Sequence, residues 1–368
     1  MNTKGTFLTG VTGTLGQEML KTLLNQTGGP LFVLARANRR QSAVDRVHKL
    51  IANSGFAQST LDRIKVLEGD VTEPGFGLKS AELQSLKQGA RRFFHAAALT
   101  SLNGSQEDCE KINVGGTRHA LEIAEQLKDS GCLEKFFYFS TAYAPGSRQR
   151  YHSFEDYLPV KPVFANFYES SKYQSETLVR NALAGNRIHG MIFRPSIVVG
   201  HSETGEVSQF NVIYPFMRLF AHGMLQILPT RLENSFNIVP IDYVVNASLA
   251  IAAQEDCLGK TFHLASLEPP TVGMLLEVKR EDYPDVPLIT IVDPGQFCRE
   301  DLEPAQQFVY DMMAPYMGYL NDSLTFDCRN TAQALSRAGM SFPKTDIAFL
   351  RTLLRYAVGQ GYLMIKSA

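Results

Sequence analysis

The feature of this sequence that most constrains its fold is a glycine-rich turn between a strand and a helix. Residues Gly5–Thr9 form an apolar run typical of a buried strand, and a helical stripe of leucine and methionine begins at Leu15. Between them lie glycines at the spacing GxxGxxG: Gly10, Gly13 and Gly16. Such glycines permit a tight turn, close approach of backbone amides to a pyrophosphate, and close packing of helix on strand. The pattern predicts a dinucleotide-binding loop at a helix N-terminus, completed by Thr12, Thr14 and Leu15.

The rest of the first half alternates short β-rich runs with helical patterns, as in a parallel sheet wrapped by helices. Predicted strands are 5–9, 31–35, 64–68, 92–96, 136–140 and 190–193, with a later one at 261–264. Most are continuous apolar runs, as expected where helices cover both faces of a sheet. We predict an α/β fold, a Rossmann-type doubly wound parallel sheet with a smaller, mainly helical C-terminal substrate lobe. The sheet domain is expected to take residues 1–200 and 236–266, and the lobe residues 201–235 and 267–368.

Composition excludes several classes of protein. The 368 residues carry a formal net charge of −1, and 44% of them are hydrophobic, which excludes a disordered chain and does not favour a nucleic-acid partner. The five cysteines are scattered without a CxxC pair, and the histidines form no ligand-spaced cluster. We therefore expect reduced thiols and no metal site. There is no signal-peptide layout and no apolar run of about 18 residues, so we expect a cytoplasmic protein without a transmembrane segment.

The end of the second predicted strand indicates which dinucleotide is bound. A site selective for NAD usually carries an acidic residue here, on the ribose 2′-hydroxyl. This chain has Arg36 instead, followed closely by Arg39 and Arg40. Because a guanidinium can hold a 2′-phosphate, the sequence predicts NADPH as the cofactor, with Arg36 the main contact and Arg39 or Arg40 assisting.

A tyrosine and a lysine lie one helical turn apart, at Tyr168 and Lys172. At this spacing both side chains project from one helical face. The ammonium group is expected to favour phenolate and to lower the pKa of the tyrosine, which could then donate a proton near neutral pH. The strand before this pair ends in Ser140 and Thr141, which supplies hydroxyl groups at the carboxyl edge of the sheet.

Taken together, these motifs resemble the extended short-chain dehydrogenase/reductase superfamily. The resemblance runs in order from Gly10 to Gly200, a little over half of the chain. It comprises the glycine loop, Gly69-Asp70-Val71, His95-Ala96-Ala97-Ala98, Asn113-Val114-Gly115-Gly116-Thr117, Ser140-Thr141, Tyr168 with Lys172, and Arg194-Pro195-Ser196-Ile197-Val198-Val199-Gly200. Val239-Pro240-Ile241-Asp242-Tyr243-Val244, together with Gln174-Ser175-Glu176, looks like the thioester-reductase branch. That branch holds fatty acyl-CoA reductases and the terminal reductase domains of carboxylic acid reductases and nonribosomal peptide synthetases.

The resemblance implies a role for each matching position. Tyr168 and Lys172 would be the catalytic pair, with Lys172 also bonding the nicotinamide ribose, and Thr141 the third member, or Ser140 if the strand is read one residue differently. The remaining cofactor contacts would be Asp70 and Val71 at the adenine, Ala96, Ala97 and Ala98 along the cleft, and Pro195, Ser196 and Ile197 beside the nicotinamide. Asn113 would brace the active-site strand. His95 would support the fold.

The implied reaction is NADPH-dependent reduction of an acyl thioester, on coenzyme A or a carrier protein, to the aldehyde and possibly the alcohol. A dense apolar segment including Phe210, Tyr214 and Phe216 is either a helix packed on the core or the wall of an acyl tunnel. Basic residues could meet the thioester's phosphate groups or an acidic carrier: Arg148, Arg150, Lys161 and Arg218. Ala142 replaces the catalytic serine of several sugar-nucleotide epimerases and flavonoid reductases. An NADP-dependent epimerase, a ketone reductase and a non-catalytic NADP(H)-binding regulator remain the alternatives.

Overall fold

The computed structural model describes residues 4–52, 55–146, 152–321 and 324–363. Its strands in chain order are β1 Gly5–Thr9, β2 Leu31–Ala35, β3 Ile64–Glu68, β4 Ala90–His95, β5 Lys135–Phe139, β6 His152–Ser153, β7 Gly190–Pro195, β8 Ile197–Val199, β9 Ile227–Pro229, β10 Ile238–Pro240, β11 Thr261–Leu264, β12 Thr290–Val292 and β13 Thr325–Phe326. The central sheet has the order β11-β7-β5-β4-β1-β2-β3, and all of its neighbouring strands are parallel. The predicted doubly wound α/β fold is thus confirmed.

Helices connect these strands and cover the sheet. They are α1 Thr14–Gln26, α2 Ala43–Ile51, α3 Gln58–Leu61, α4 Ser80–Gly89, α5 Gln106–Cys109, α6 Gly116–Asp129, α7 Phe167–Ala184, α8 Ile213–Ala221, α9 Ile241–Ala252, α10 Val272–Asp282, α11 Pro304–Asn321, α12 Arg329–Arg337 and α13 Ile347–Gly359. A π-helical turn at Glu110–Gly115 joins α5 to α6. Three short 3₁₀ turns lie at Pro74–Gly77, Glu255–Cys257 and Arg299–Asp301.

Helices cover both faces of the sheet, so strands β1, β2 and β5 are buried along their whole length, whereas the edge strand β3 is partly exposed. One core contains side chains of α1, α2, α9 and α12, and the opposite core contains side chains of α4, α6 and α7. Neighbouring residues of one strand enter different cores: Phe93 of β4 points to the second core and Phe94 to the first. This is the alternation that a strand imposes on successive side chains.

A third core belongs to the C-terminal lobe. It contains apolar side chains of α8, α10, α11 and α13, together with Ile197 and Val199 of β8. The chain returns from this lobe towards the sheet domain with α9, which packs in the first core, and β11, which pairs with β7, whereas β10 pairs with β8 outside the central sheet. Helix α12 lies inside the range predicted for the lobe, yet it packs on α9 and β11 of the sheet domain. The division into two domains at the predicted residues remains a proposal.

The strand order reverses between β1 and β4. From β1 the chain proceeds to β2 and β3 on one side, and from β4 it proceeds to β5, β7 and β11 on the other. Loops after the carboxyl ends of β1 and β4 therefore diverge to opposite faces and leave a crevice between them. The predicted site residues follow these carboxyl ends, so the topology brings them to one edge of the sheet.

Candidate active site

The glycine loop follows β1 and closes against the segment after β4. Gly10 has a φ of +79°, and a Cβ there would lie 2.6 Å from the Ala96 carbonyl carbon and the Ala97 nitrogen. A Cβ on Gly16 would lie 2.1 Å from the Gly10 oxygen. Gly13 precedes α1 without a side-chain cap, so the first amides of this helix have no side-chain oxygen as a partner. The loop thus has the close backbone approach and helix N-terminus expected of a pyrophosphate cradle.

One end of the crevice holds the residues predicted to meet the adenosine. A cavity of about 190 Å³ is lined by Thr12, Ala35, Arg36, Asp70, Val71 and the run Ala96 to Ala98, among others. The Arg36 side chain is 61% exposed, and its Nη1 lies 3.2 Å from Oδ2 of Asp70. Burial raises the pKa of Asp70, but the Thr72 amide and the Arg36 charge outweigh it, so the net pKa is lowered. Arg36 therefore lies beside a carboxylate at the mouth of this cavity.

Arg39 and Arg40 lie differently from Arg36. Both are exposed on the loop after β2, and neither lines the cavity at the adenosine end. The Asn38 side chain accepts a hydrogen bond from the Arg40 amide, which stabilises the turn of this loop. The assisting contact from Arg39 or Arg40 stays a prediction.

The other end of the crevice is the larger cavity, of about 270 Å³. Its lining brings together predicted residues from four strand ends and from α7: Gly10, Gly13, Thr14, Leu15, Gly16, Ala96, Ala98, Ser140, Thr141, Tyr168, Lys172, Pro195, Ser196 and Ile197. The two cavities share Gly10, Gly13, Ala96 and Ala98. They therefore form a continuous path across the sheet edge.

Tyr168 lies in the first turn of α7, opposite the end of β5. Asn166 caps this helix by accepting a hydrogen bond from the Glu169 amide. Strand β5 ends at Phe139, one residue earlier than predicted, and both Ser140 and Thr141 line the cavity. Burial raises the pKa of Tyr168 to about 12, although a hydrogen bond with the Thr141 hydroxyl acts in the opposite direction. Thr141 is therefore the hydroxyl paired with Tyr168.

Lys172 also lines the cavity, but its amine has partners other than Tyr168. Its Nζ donates to the Tyr138 hydroxyl at 2.8 Å and to the Phe139 carbonyl oxygen at 2.7 Å. Burial lowers the pKa of Lys172 to about 7. The sequence-based expectation that Lys172 lowers the pKa of Tyr168 is wrong for this structure, because burial of the phenol dominates.

Asn113 lies behind the cavity in the π-helical turn and is 1% exposed. Its side-chain amide pairs with both backbone groups of Leu99, accepting at 2.7 Å and donating at 3.0 Å. It also donates to the Ser171 hydroxyl of α7 at 2.8 Å. Asn113 thus connects the segment after β4 with α7, and its predicted bracing of the active-site strand stays a prediction.

His95 also lies behind the cavity. It is buried at the end of β4, where Nδ1 is 2.8 Å from the Thr9 hydroxyl. Burial lowers its pKa to about 3, so the ring is neutral over the ordinary pH range. A neutral, buried ring that bridges β4 and β1 fits the supporting role predicted for His95.

The residues present fit a nicotinamide dinucleotide. The glycine loop has no space for side chains where backbone must approach a diphosphate. At the opposite end, the Ser196 hydroxyl is buried at the cavity wall and lacks a hydrogen-bond partner among the described residues. A buried hydroxyl of this kind is usually satisfied by a ligand or water. Ser196 therefore offers a polar contact beside the predicted nicotinamide position.

Several lining residues were missed by the sequence reasoning. The lobe contributes Gln209, Asn211, Val212 and Tyr319 to the cavity wall. The Tyr319 hydroxyl donates to Oε1 of Glu169 at 2.6 Å, across 150 residues of sequence. A tyrosine in a C-terminal helix carries no local sequence pattern that indicates such a contact.

Other predicted residues lie away from the cavity or outside the described part of the chain. Arg148 and Arg150 fall outside the described residues. Lys161 is exposed, the Arg218 guanidinium stacks over the Tyr362 ring at 5.4 Å, and neither lines the larger cavity. Among the described residues, no group of three acidic, histidine or cysteine side chains is arranged to hold a metal ion. None of the described helices has both the length and the apolar composition needed to cross a bilayer.

Comparison with known sequences identifies relatives among reductases and peptide synthetases. A nonribosomal peptide synthetase of Aspergillus campestris is 30% identical over 270 residues, covering 70% of this chain and 25% of the synthetase. Fatty acyl-CoA reductase 1 of Pongo abelii is 26% identical over 284 residues, covering 68% of this chain and 54% of the reductase. The chain thus spans about half of one relative and a quarter of the other.

Comparison with solved structures supports the same fold. The crystal structure of the terminal R domain from the myxalamid PKS-NRPS biosynthetic pathway superposes with a TM-score of 0.84 at 24% identity, covering 100% of this chain and 93% of that domain.

The model of the male sterility protein family matches residues 8–248, which include the glycine loop, Tyr168 and Lys172. The chain therefore belongs to the male sterility protein family, and the predicted resemblance to the thioester-reductase branch of the extended short-chain dehydrogenases/reductases is confirmed.

Proposed function

We propose that this protein reduces an acyl thioester to an aldehyde with NADPH. The observation that carries the proposal is the meeting of Thr141, Tyr168 and Lys172 in one cavity that continues into the glycine loop. Relatives named as a fatty acyl-CoA reductase and a peptide synthetase support a thioester as the substrate. Reduction to the alcohol would use the same residues in a second round.

The chain's own residues would act on the carbonyl oxygen. Tyr168 and Thr141 present hydroxyl groups at the end of β5, where they would donate hydrogen bonds to the oxygen as negative charge develops. Each well-placed donor is worth about 3 kcal/mol of transition-state stabilisation. A bound nicotinamide would supply the hydride. Tyr168 would then protonate the oxygen, and the hemithioacetal would collapse to an aldehyde and a thiol.

Lys172 would stabilise the site through its contacts with the end of β5. Its amine is fixed by Tyr138 and the Phe139 carbonyl oxygen, directly before the hydroxyl pair. These two bonds would hold the end of β5, which carries Ser140 and Thr141, in position beside Tyr168. The choice of NADPH rests on Arg36, the cation at the mouth of the adenosine cavity.

The donor of the thioester is proposed as coenzyme A or a carrier protein, because both kinds of relative occur in the comparisons. A cytoplasmic setting is proposed from the thiols, since all five cysteines are free and four of them are buried. Free buried thiols are typical of reducing compartments.

The test is product analysis after incubating the protein with NADPH and a panel of acyl-CoA and acyl-carrier thioesters. We expect aldehyde or alcohol from the wild type, and a loss of turnover of at least about a hundredfold in Tyr168→Phe, because the proton donor is gone. Cofactor binding, measured by NADPH fluorescence, should stay nearly unchanged. Tyr173→Phe is the matched control, since this tyrosine lies on the same helix and its hydroxyl donates to the Pro159 carbonyl oxygen.

Other outcomes would support the alternatives. Turnover of a sugar nucleotide or a ketone but of no thioester would assign an epimerase or a carbonyl reductase. Tight NADPH binding with no turnover of any carbonyl compound would favour a regulator. A fully active Tyr168→Phe variant would refute the mechanism.

A further inference from the structure

Strand β5 is almost entirely aromatic, and one of its rings carries a hydroxyl group. Phe136, Phe137, Tyr138 and Phe139 follow each other along the strand, and all four are buried. The Tyr138 side chain is 1% exposed and lies in the second core, which also contains Phe93. A hydroxyl group buried in an apolar core is destabilising unless it forms a hydrogen bond. Phenylalanine would fill the same space, so the hydroxyl of Tyr138 requires a polar partner.

The partner of this hydroxyl is the amine of Lys172. Nζ of Lys172 donates to the Tyr138 oxygen at 2.8 Å and lies 4.5 Å from the centroid of the Tyr138 ring. The Tyr138 ring stacks on His95 of β4, with ring centroids 6.0 Å apart. Its hydroxyl also interacts with Thr117 of α6 and Ser175 of α7. Tyr138 is therefore held from several sides and presents a fixed acceptor to the amine.

The bonds of Lys172 connect α7 to β5 close to the hydroxyls of Thr141 and Tyr168. Two bonds of the amine, to the Tyr138 hydroxyl at 2.8 Å and to the Phe139 carbonyl oxygen at 2.7 Å, both end on β5. Thr141 follows Phe139 by two residues, and Tyr168 precedes Lys172 by one helical turn. An ammonium group has three donors, so the protonated amine keeps one donor for a ligand in the cavity that it lines.

We propose, on the basis of the proposed function, that Tyr138 is a positioning residue whose hydroxyl fixes the Lys172 amine at the end of β5. Tyr138 lines neither cavity, so it acts on the reaction through Lys172. Without this hydroxyl the amine would retain the Phe139 carbonyl oxygen but lose its side-chain acceptor, and the end of β5 would be held less firmly against α7. Thr141 and Tyr168 would then be misaligned for one substrate oxygen, and a misplacement of about 1 Å is enough to reduce turnover severely.

The first test is Tyr138→Phe, which removes the hydroxyl and keeps the buried ring. We expect kcat for thioester reduction to fall at least about tenfold, as for the loss of one hydrogen bond to a charged group. The Kd for NADPH, measured by fluorescence, should change less than about threefold, because an interaction that only aligns the reacting groups affects turnover more than binding. A Kd near the wild-type value also shows that the variant is folded.

Tyr214→Phe is the matched control for this substitution. Tyr214 is also 1% exposed, its hydroxyl accepts from the Gly200 amide at 3.1 Å, and it lines neither cavity. It should keep kcat within about threefold of the wild type, since a buried hydrogen bond is lost away from the reacting groups. If Tyr138→Phe fails to fold, Thr117→Val takes its place, because it removes a neighbour of the same hydroxyl and should also lower kcat.

The second test observes the amine without any turnover. In protein isotopically labelled at the ε carbon of lysine, the Lys172 signal is identified by its absence in Lys172→Arg and followed by NMR against pH. Burial lowers the pKa of Lys172 to about 7, the charge of Glu176 on the same helix raises it, and His95 on β4 is neutral there. Because Tyr138 accepts a hydrogen bond from the ammonium form, Tyr138→Phe should move the midpoint of this titration to lower pH by about one unit. The midpoint in Tyr214→Phe should equal that of the wild type.

The outcomes separate the two claims. A wild-type protein that reduces no thioester refutes the proposed function, whatever the Lys172 signal shows. Thioester reduction with an unchanged kcat in Tyr138→Phe, or a Lys172 midpoint that does not move in this variant, overturns the positioning role and leaves the proposed function standing. An equal loss of kcat in Tyr214→Phe overturns it as well, because the effect would then follow from the loss of any buried hydroxyl.

Discussion

Tyr168 and Lys172 share a helical face, but the structure gives their functional groups different partners. The Lys172 amine is bound by Tyr138 and by the Phe139 carbonyl oxygen, and it lies 4.5 Å from the centroid of the Tyr138 ring. Since burial lowers the pKa of Lys172 to about 7, its charge changes near neutral pH. Burial could not be judged from spacing alone, which is why the sequence suggested a charge effect on Tyr168 that the structure does not show.

At the scale of single residues, Arg36 is predicted to determine cofactor preference. Arg36→Asp replaces the cation at the adenosine cavity with a second acid beside Asp70, so a 2′-phosphate would meet two carboxylates. We expect the KM for NADPH to rise at least about tenfold and the KM for NADH to change much less. The measurement is initial-rate kinetics with each cofactor. Arg280→Asp is the control, because Arg280 is an exposed arginine of α10 that lines neither cavity. If Arg36→Asp raised the KM for NADPH and the KM for NADH equally, the assignment would be removed.

At the scale of elements, α7 carries the site and its anchor on one stripe. Tyr168, Lys172, Glu176 and Arg180 follow each other at four-residue intervals. Glu176 accepts from the fully buried Arg194 of β7 at 2.6 Å and from Arg180 at 2.8 Å. Burial raises the pKa of Glu176, but the guanidinium groups outweigh it and lower the pKa to about 2. The catalytic end of the helix is thereby tied to the sheet at a buried ion pair.

We predict that Glu176→Gln lowers the free energy of unfolding by about 3–5 kcal/mol, because it leaves the Arg194 charge buried without its counter-ion. Urea denaturation followed by circular dichroism measures this loss. Glu125→Gln is the control, since Glu125 pairs with Arg187 at 2.8 Å on the surface and should cost less than about 1 kcal/mol. Equal losses in the two variants would contradict the anchoring role.

The elements also show what could be predicted from the sequence. The central strands were located to within two residues at each end because they are apolar runs bounded by turns, and the glycine loop has few other uses between a strand and a helix. Strands β9 and β12, of three residues each, have no periodicity that separates them from loops. The contact of Tyr319 with Glu169 depends on packing across 150 residues. The cofactor half of the site could therefore be predicted from the sequence, and the substrate half could not.

At the scale of the whole molecule, buried neutral histidine predicts sensitivity to acid. The Arg194 guanidinium donates to Nε2 of His263 at 3.2 Å, while Nδ1 lies 2.6 Å from the Asp327 carbonyl oxygen. Burial, aided by the Arg194 charge, lowers the pKa of His263 to about 3. Between pH 6.5 and 3, His263 is protonated in the unfolded chain but not in the folded one. The free energy of unfolding therefore falls as the pH decreases from 6.5 towards 3.

We expect His263→Gln to reduce the slope of unfolding free energy against pH in that window by at most about 1.4 kcal/mol per pH unit. Urea titrations at a series of pH values measure the slope. The same substitution at the exposed His222 serves as the comparison. A wild-type slope in His263→Gln would show that another group controls acid unfolding, such as the buried His95, whose pKa is also lowered to about 3. Glu155 opposes this trend between pH 4.5 and 7, because burial raises its pKa to about 7.

The path of the chain between sheet and lobe has a consequence for how such a molecule can diversify. The chain leaves the sheet after β7, returns with α9 and β11, leaves with α10, returns with α12 and ends in α13. Recombination between two related genes with one or two breakpoints would build at least one hydrophobic core from segments of both parents, whose side chains are not complementary. Substrate range should therefore change by point substitution at the lobe wall, and a chimaera built from two relatives would need a junction at every crossing.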